Sequence, residues 1–105
     1  MDDKLISSAF KVFYNEAGAH VKAWGRMVEE PTQACALEPK TRELVYLAVL
    51  ASHGLTNGIP FHAVSAKQAG ASREEVISAI LIGLPAAGVV ATQALPLALE
   101  AYETN

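Results

Sequence analysis

Few titratable side chains of this chain fall inside apolar stretches, and those few are the candidates for chemistry. Glu43 directly precedes the apolar pair Leu44 and Val45, and His62 follows Phe61 early in another apolar segment. A carboxylate beside an imidazole is a frequent arrangement for general acid–base catalysis. We therefore expect His62 to serve as base or acid, with Glu43 as its orienting or proton-sharing partner. The aromatic candidates for the walls of a substrate pocket are Tyr46, Phe61 and Trp24.

A purely structural role is also open for Glu43 and for His62. Glu43 could be a carboxylate on a helix surface, paired with Lys40 or Lys22. His62 could cap a helix or complete a core, as a lone histidine in such a position often does. The sequence leaves these alternatives beside the catalytic one.

The other candidates are better explained without function. His53 falls near the end of a predicted helix, where a histidine complements the helix dipole. Cys35 is the single cysteine, so it forms no internal disulfide, and no basic residue stands near it to activate the thiol. His20 is a further, weaker candidate. Because the spacing of these residues fits no common ligand pattern, we expect no metal. We also expect no cofactor, since a chain of this length has no room for a separate cofactor-binding domain.

Size and composition limit the class of protein. The 105 residues suit a single domain spanning 1–105, and 51% apolar residues suffice for a core. A net charge of −3 with scattered basic residues argues against nucleic acid as a partner. The mean hydropathy of +0.24 is high for a small domain, which predicts apolar surface left for a partner.

The longest uncharged run extends from residue 76 to residue 99, and it raises the alternative of a membrane helix. Pro85 and Pro96 interrupt that run, as do two glycines, and no basic cluster flanks it. We therefore favour two buried helices and no membrane partner, with the surplus apolar surface in the core or in an interface between subunits. The acidic amino terminus does not resemble a targeting signal, and a cytoplasmic location is expected.

Apolar residues recur every three to four positions along the chain, and no segment alternates with a period of two. The prediction is an all-α fold of about six helices. Pro31 should end the second helix after Glu30, and Ser72 and Glu75 should form a capping box. The predicted helices are approximately 5–16, 21–30, 38–53, 60–68, 72–88 (with a kink at Pro85) and 89–102.

This arrangement does not by itself bring the two candidate residues together. Glu43 precedes the end of its helix by about ten residues, or roughly 15 Å, whereas His62 lies near the start of the next helix. They meet only if the two helices cross, or if another helix or a second subunit completes the site.

Three segments resemble the carboxymuconolactone decarboxylase family, which includes the alkylhydroperoxidase D branch. They are the stretch 37–45 (LEPKTRELV), His62 with Ala66, and the stretch 70–76 (GASREEV). The resemblance is strongest over residues 37–90. It implies an all-helical subunit that assembles as a homotrimer or homohexamer and binds a small-molecule substrate. It also matches Glu43 and His62 to the glutamate and histidine of the family's proton relay.

The sequence departs from the family's redox motif. The alkylhydroperoxidase D branch places a Cys-x-x-Cys pair four residues before the histidine, where this chain has Leu55 and Gly58. True lactone decarboxylases resemble this chain in lacking the cysteines but place charged residues there. The resemblance thus favours thiol-independent acid–base chemistry, of decarboxylase, lyase or isomerase type. The alternatives are a non-catalytic binding or scaffold oligomer and, against the missing cysteines, a peroxidase of the peroxiredoxin-like kind.

Overall fold

The computed structural model describes residues 3–105, and within that range the chain forms helices and no strands. The all-α prediction is confirmed. Short 3-10 segments occur at Asp3–Leu5, Thr56–Gly58 and Gly88–Gln93. The α-helices are α1 (Ser8–Glu16), α2 (Gly18–Ala34), α3 (Pro39–Ser52), α4 (Ile59–Gln68), α5 (Arg73–Leu81), α6 (Leu84–Ala87) and α7 (Ala94–Thr104).

Helices α1 and α2 form an amino-terminal arm. Ser7 caps α1 by accepting a hydrogen bond from the Phe10 backbone N–H at 3.1 Å. Phe10 and Phe13 then pack edge-on against Trp24 of α2, with ring centroids 5.1 and 6.2 Å from it. Neither helix contains a buried residue, so the arm is held to the rest of the chain by partly exposed contacts.

The predicted end of the second helix is wrong. Pro31 does not end α2, which continues to Ala34 and carries the proline within it. A proline removes one backbone hydrogen bond, here the one to the Met27 carbonyl. Because this part of α2 is exposed, water can satisfy that carbonyl, and the cost of the proline is reduced.

The core lies among α3, α4, α5 and α7. Its fully buried large side chains are Leu47 of α3, Ile59 of α4, and Val76 and Ile80 of α5. Helix α7 contributes mainly alanines, which let it approach α4 closely. This body carries the family-like segments and positions the candidate residues.

The connection between α3 and α4 follows from one glycine. Gly54 has a φ of 68°, a left-handed conformation that side chains disfavour, and it stands just beyond the helix end. Its N–H bonds to the Ala51 carbonyl, while the N–H of Leu55 bonds to the Leu50 carbonyl. These two bonds form a Schellman motif, so the predicted stop after His53 is confirmed.

The predicted capping box at the start of α5 is also confirmed. Ser72 accepts from the backbone N–H of Glu75, and the Glu75 carboxylate accepts from the backbone N–H of Ser72 at 2.8 Å. Glu75 also pairs with Lys40 of α3 at 3.1 Å. The backbone hydrogen bond from Ser72 and, to a smaller extent, the contact with Lys40 lower the pKa of Glu75.

The carboxy-terminal stretch is more broken than the two predicted helices. The chain turns at Ile82 and Gly83 instead of merely kinking at Pro85, and a 3-10 segment precedes α7. Gly83 is needed because a Cβ there would collide with the Ser52 hydroxyl. This turn therefore packs closely against the end of α3.

By length and composition, residues 73–104 would suffice to cross a membrane. An 18-residue window reaches a mean hydropathy of 1.9, and 17% of that window is buried. However, the longest α-helices in the stretch have only nine and eleven residues, whereas a span needs about twenty. Much of this apolar stretch lies on the surface of the single chain.

Candidate functional site

Glu43 and His62 are in direct contact. The Nδ1 atom of His62 lies 2.8 Å from Oε2 of Glu43, within hydrogen-bonding distance. The two side chains retain 24% and 18% of their exposure, with the histidine the more exposed. The structure thus brings together the two residues whose predicted helices left them apart.

The face that α3 presents to α4 explains this contact. Glu43, Tyr46 and Leu50 follow one another at intervals of three and four residues, which places them along one side of α3. Gly58 stands against Leu50, and a Cβ there would lie 3.3 Å from a Leu50 methyl carbon. The connection between the helices therefore runs back along α3, and the first turn of α4 delivers His62 beside Glu43.

The alternatives that the sequence left open for Glu43 do not hold. Lys40, one candidate partner, pairs instead with Glu75 of α5. Glu43 pairs with His62, and Lys22 belongs to the exposed part of α2. Glu43 is therefore a partner of the imidazole and not a carboxylate paired with lysine on the helix surface.

The hydrogen bond assigns different tasks to the two ring nitrogens of His62. An ionised carboxylate can only accept, so the contact with Glu43 places a proton on Nδ1. The neutral imidazole then carries its lone pair on Nε2, and residues 3–105 provide no other hydrogen bond to the ring. A lone pair held in a fixed orientation is what a general base requires.

Aromatic rings surround the histidine. The ring of Tyr46 lies 4.4 Å from that of His62, centroid to centroid, and Phe61 approaches edge-on at 5.0 Å. These residues, with Trp24, line a cavity of about 380 Å³. The three aromatic residues named from the sequence therefore lie in one pocket with His62.

Residues at and before the start of α1 form a further part of the wall, which sequence patterns did not indicate. Leu5, Ile6 and Ser7, which precede α1, line the cavity together with Phe10 of α1. The helical spacing of Leu5, Ile6 and Phe10 indicated only the apolar stripe of a helix predicted over residues 5–16, whereas α1 begins at Ser8. Nothing in the sequence showed where this segment would fold. The remaining lining comes from Leu50, Asn57 and Gly58.

The other sequence candidates lie outside the pocket lining. Cys35 caps the end of α2 and is partly exposed, and His53 caps the end of α3. His20 is exposed on α2. Among residues 3–105, no three His, Cys, Asp or Glu side chains form a group that could hold a metal ion.

The two positions where the redox motif would place cysteines lie in different surroundings. Leu55 is exposed in the connection between α3 and α4, whereas Gly58 lines the pocket beside His62. Neither can supply a thiolate, so the histidine has no sulfur nucleophile in the place where the motif would put one.

Comparison with known proteins gives one match. Neither the curated proteins nor the solved structures searched contain a match to this chain. The sequence model of one family covers residues 19–101, which include α3, α4, α5 and most of α7. That span contains the paired glutamate and histidine, and the chain belongs to the carboxymuconolactone decarboxylase family.

Proposed function

We propose that this protein catalyses proton transfer on a small organic substrate, with His62 as the base and acid and Glu43 as its partner. The observation that carries the proposal is the 2.8 Å contact between Nδ1 and the carboxylate, at the wall of an aromatic pocket. Membership of the decarboxylase family agrees with a reaction at carbon.

The first step would be removal of a proton from a carbon next to a carbonyl group. The C–H electron pair passes into the enolate, and the proton passes to Nε2 of His62. Glu43 then faces an imidazolium, and its negative charge stabilises that cation. In an isomerase, the imidazolium returns the proton to a different carbon. In a decarboxylase, the cycle would instead start with His62 protonated by solvent. The C–C electron pair stays on the substrate carbon as carbon dioxide leaves, and the imidazolium then protonates that carbanion.

Deuterium exchange tests this proposal even when the product is not identified. Cyclic ketones and lactones, with and without a carboxylate, are incubated with the protein in D₂O and followed by proton NMR. His62→Gln should reduce the rate of exchange or turnover by about 10²- to 10⁴-fold, the usual contribution of a general base. Glu43→Gln should reduce it less, because the imidazole remains.

His53→Gln is the matched control, since His53 stands at a helix end and outside the pocket lining. This variant should catalyse deuterium exchange into the substrate at the same rate as the wild type. Unchanged rates in the His62 variant, with folding intact, would remove this residue from the mechanism. Binding without exchange or turnover of any compound would favour the alternative of a non-catalytic binding oligomer.

Peroxide reduction is the less favoured alternative. Its support would have to come from Cys35, which lies at the end of α2 and outside the pocket lining. If the protein reduces peroxides and a Cys35→Ser variant loses that activity, the thiol-independent proposal is wrong.

We also propose that the protein is a homo-oligomer, a trimer or hexamer as the family resemblance implies. Support comes from large apolar side chains left exposed on the single chain, including Ile82 at 73% and Val89 at 78%. An open apolar depression of about 530 Å³ lies between α3 and α5, lined in part by Val45 and Ile82. Burial of such surface between subunits would be favourable.

Light scattering without detergent tests the assembly. We expect a mass of three or six times 11.1 kDa. Ile82→Glu should lower the mass, because it would bury a charge in the interface, whereas Glu100→Gln on the exposed part of α7 should not. A folded wild-type monomer would contradict the proposal.

A further inference from the structure

Within residues 3–105, the polar side chains that line the His62 pocket are few. Only Ser7, Asn57 and His62 carry hydrogen-bonding side chains there, apart from the Tyr46 hydroxyl and the Trp24 N–H. This described lining includes no lysine and no arginine. An anionic ligand would therefore lose its hydration without gaining a lysine or arginine as partner, which is costly.

The side chain hydrogen-bonded to His62 is a carboxylate. Glu43 lies 2.8 Å from the imidazole and retains only 18% of its side-chain exposure. A ligand carboxylate near Nε2 of His62 would face that charge across the width of one ring. Repulsion at such a distance is strong where water is partly excluded.

A neutral carbonyl compound fits the same groups. The Ser7 oxygen accepts from the Phe10 backbone N–H, which leaves its own O–H free to donate. Asn57 can also donate, and Nε2 of His62 is an acceptor for a proton. The walls of Phe10, Trp24 and Phe61 suit a ring, and a cavity of about 380 Å³ suits a ligand of one or two rings.

We propose that the site selects an uncharged, ring-containing carbonyl compound and discriminates against carboxylates of the same shape. This inference rests on the proposed function, because it assigns the substrate class of the same pocket. It favours proton transfer within a neutral substrate over decarboxylation of an anionic one.

Trp24 provides a direct probe of binding. It is the only tryptophan in the chain and it lines the pocket. Phenylacetamide and phenylacetate have the same shape and differ in charge, so they form a matched pair. In titrations of Trp24 fluorescence at pH 8, we expect the amide to cause a saturable change and the anion to bind at least about tenfold more weakly.

A charge introduced into the wall should reverse the preference. Asn57→Lys places a cation in the pocket lining and should strengthen phenylacetate binding relative to phenylacetamide. Thr104→Lys, at the exposed end of α7, is the control for the added charge and should leave the wild-type preference in place. Circular dichroism checks that both variants are folded.

The inference is overturned if phenylacetate binds the wild type as tightly as phenylacetamide, or if neither compound binds. It is also overturned if Asn57→Lys does not change the ratio of the two affinities. These results are separate from the deuterium exchange test: a preference for the anion combined with loss of exchange in His62→Gln would refute only the substrate class. Retention of exchange in that variant would refute the proposed function itself.

Discussion

Removal of the Glu43 carboxylate should change which ring nitrogen of His62 carries the proton. The Nδ1 to Oε2 distance of 2.8 Å is that of a charge-assisted hydrogen bond, and both side chains are mostly covered. Such a bond contributes about 2 kcal/mol, which corresponds to a roughly 30-fold preference for the form protonated on Nδ1. In Glu43→Ala that preference should disappear.

The assay is nitrogen-15 NMR of the imidazole rings at about pH 8.5, where an ordinary histidine is neutral. His20 and His53 lie outside the pocket and serve as internal references in the same spectrum. We expect the wild-type His62 signals to report Nδ1–H almost alone, and those of Glu43→Ala to move towards the two references. If wild-type His62 is protonated mainly on Nε2, or if the variant gives the same signals, the assigned base is wrong.

Two further predictions concern the scaffold. The hydrogen bond from the Ser72 backbone N–H and the pair with Lys40 lower the pKa of Glu75 below its ordinary value of 4.5. The ionised carboxylate therefore stabilises the fold at a pH above 4.5, and this contribution is lost as the pH falls below that value. Thermal unfolding should show Glu75→Gln to be less stable than the wild type at pH 7, with a difference that shrinks towards pH 3; a constant difference would contradict the assignment. Gly83→Ala should lower the free energy of unfolding by about 1 kcal/mol in urea denaturation, because the Ser52 hydroxyl must move. In a Ser52→Ala background the same change should cost much less, and an equal cost in both backgrounds would show that the contact is not its source.

Local signals in the sequence identified the boundaries of α3 and α4 and the start of α5. The proline after Glu38, the glycine after His53 and the capping box at Ser72 each act within a few residues, and each is where the structure has it. The predicted helix end at Pro31 was wrong because this part of α2 is exposed, so that water can satisfy the carbonyl that the proline leaves without a partner. The turn at Gly83 was missed because it depends on contact with Ser52, thirty-one positions earlier in the chain.

The candidate site was predicted as a set of residues and not as an arrangement. Glu43 and His62 stand out because charged or basic groups in apolar segments need a reason to be there. Their contact depends on how the connection runs back along α3, which spacing within either helix does not reveal. The wall formed by Leu5, Ile6 and Phe10 depends on the fold of the amino-terminal arm, which is remote from α4 in sequence.

The sequence alone thus determined the helical class, the family-like segments and the identity of the candidate acid–base pair, because periodicity, capping and residue type act over short distances. Only the tertiary structure decided that Glu43 meets His62, that three aromatic rings share their pocket, and that the described part of the chain lines it without a lysine or arginine. Those features arise from packing between helices, where contacts join residues that are distant in the chain. Rotation of a helix about its own axis changes which of its side chains meet the neighbouring helix.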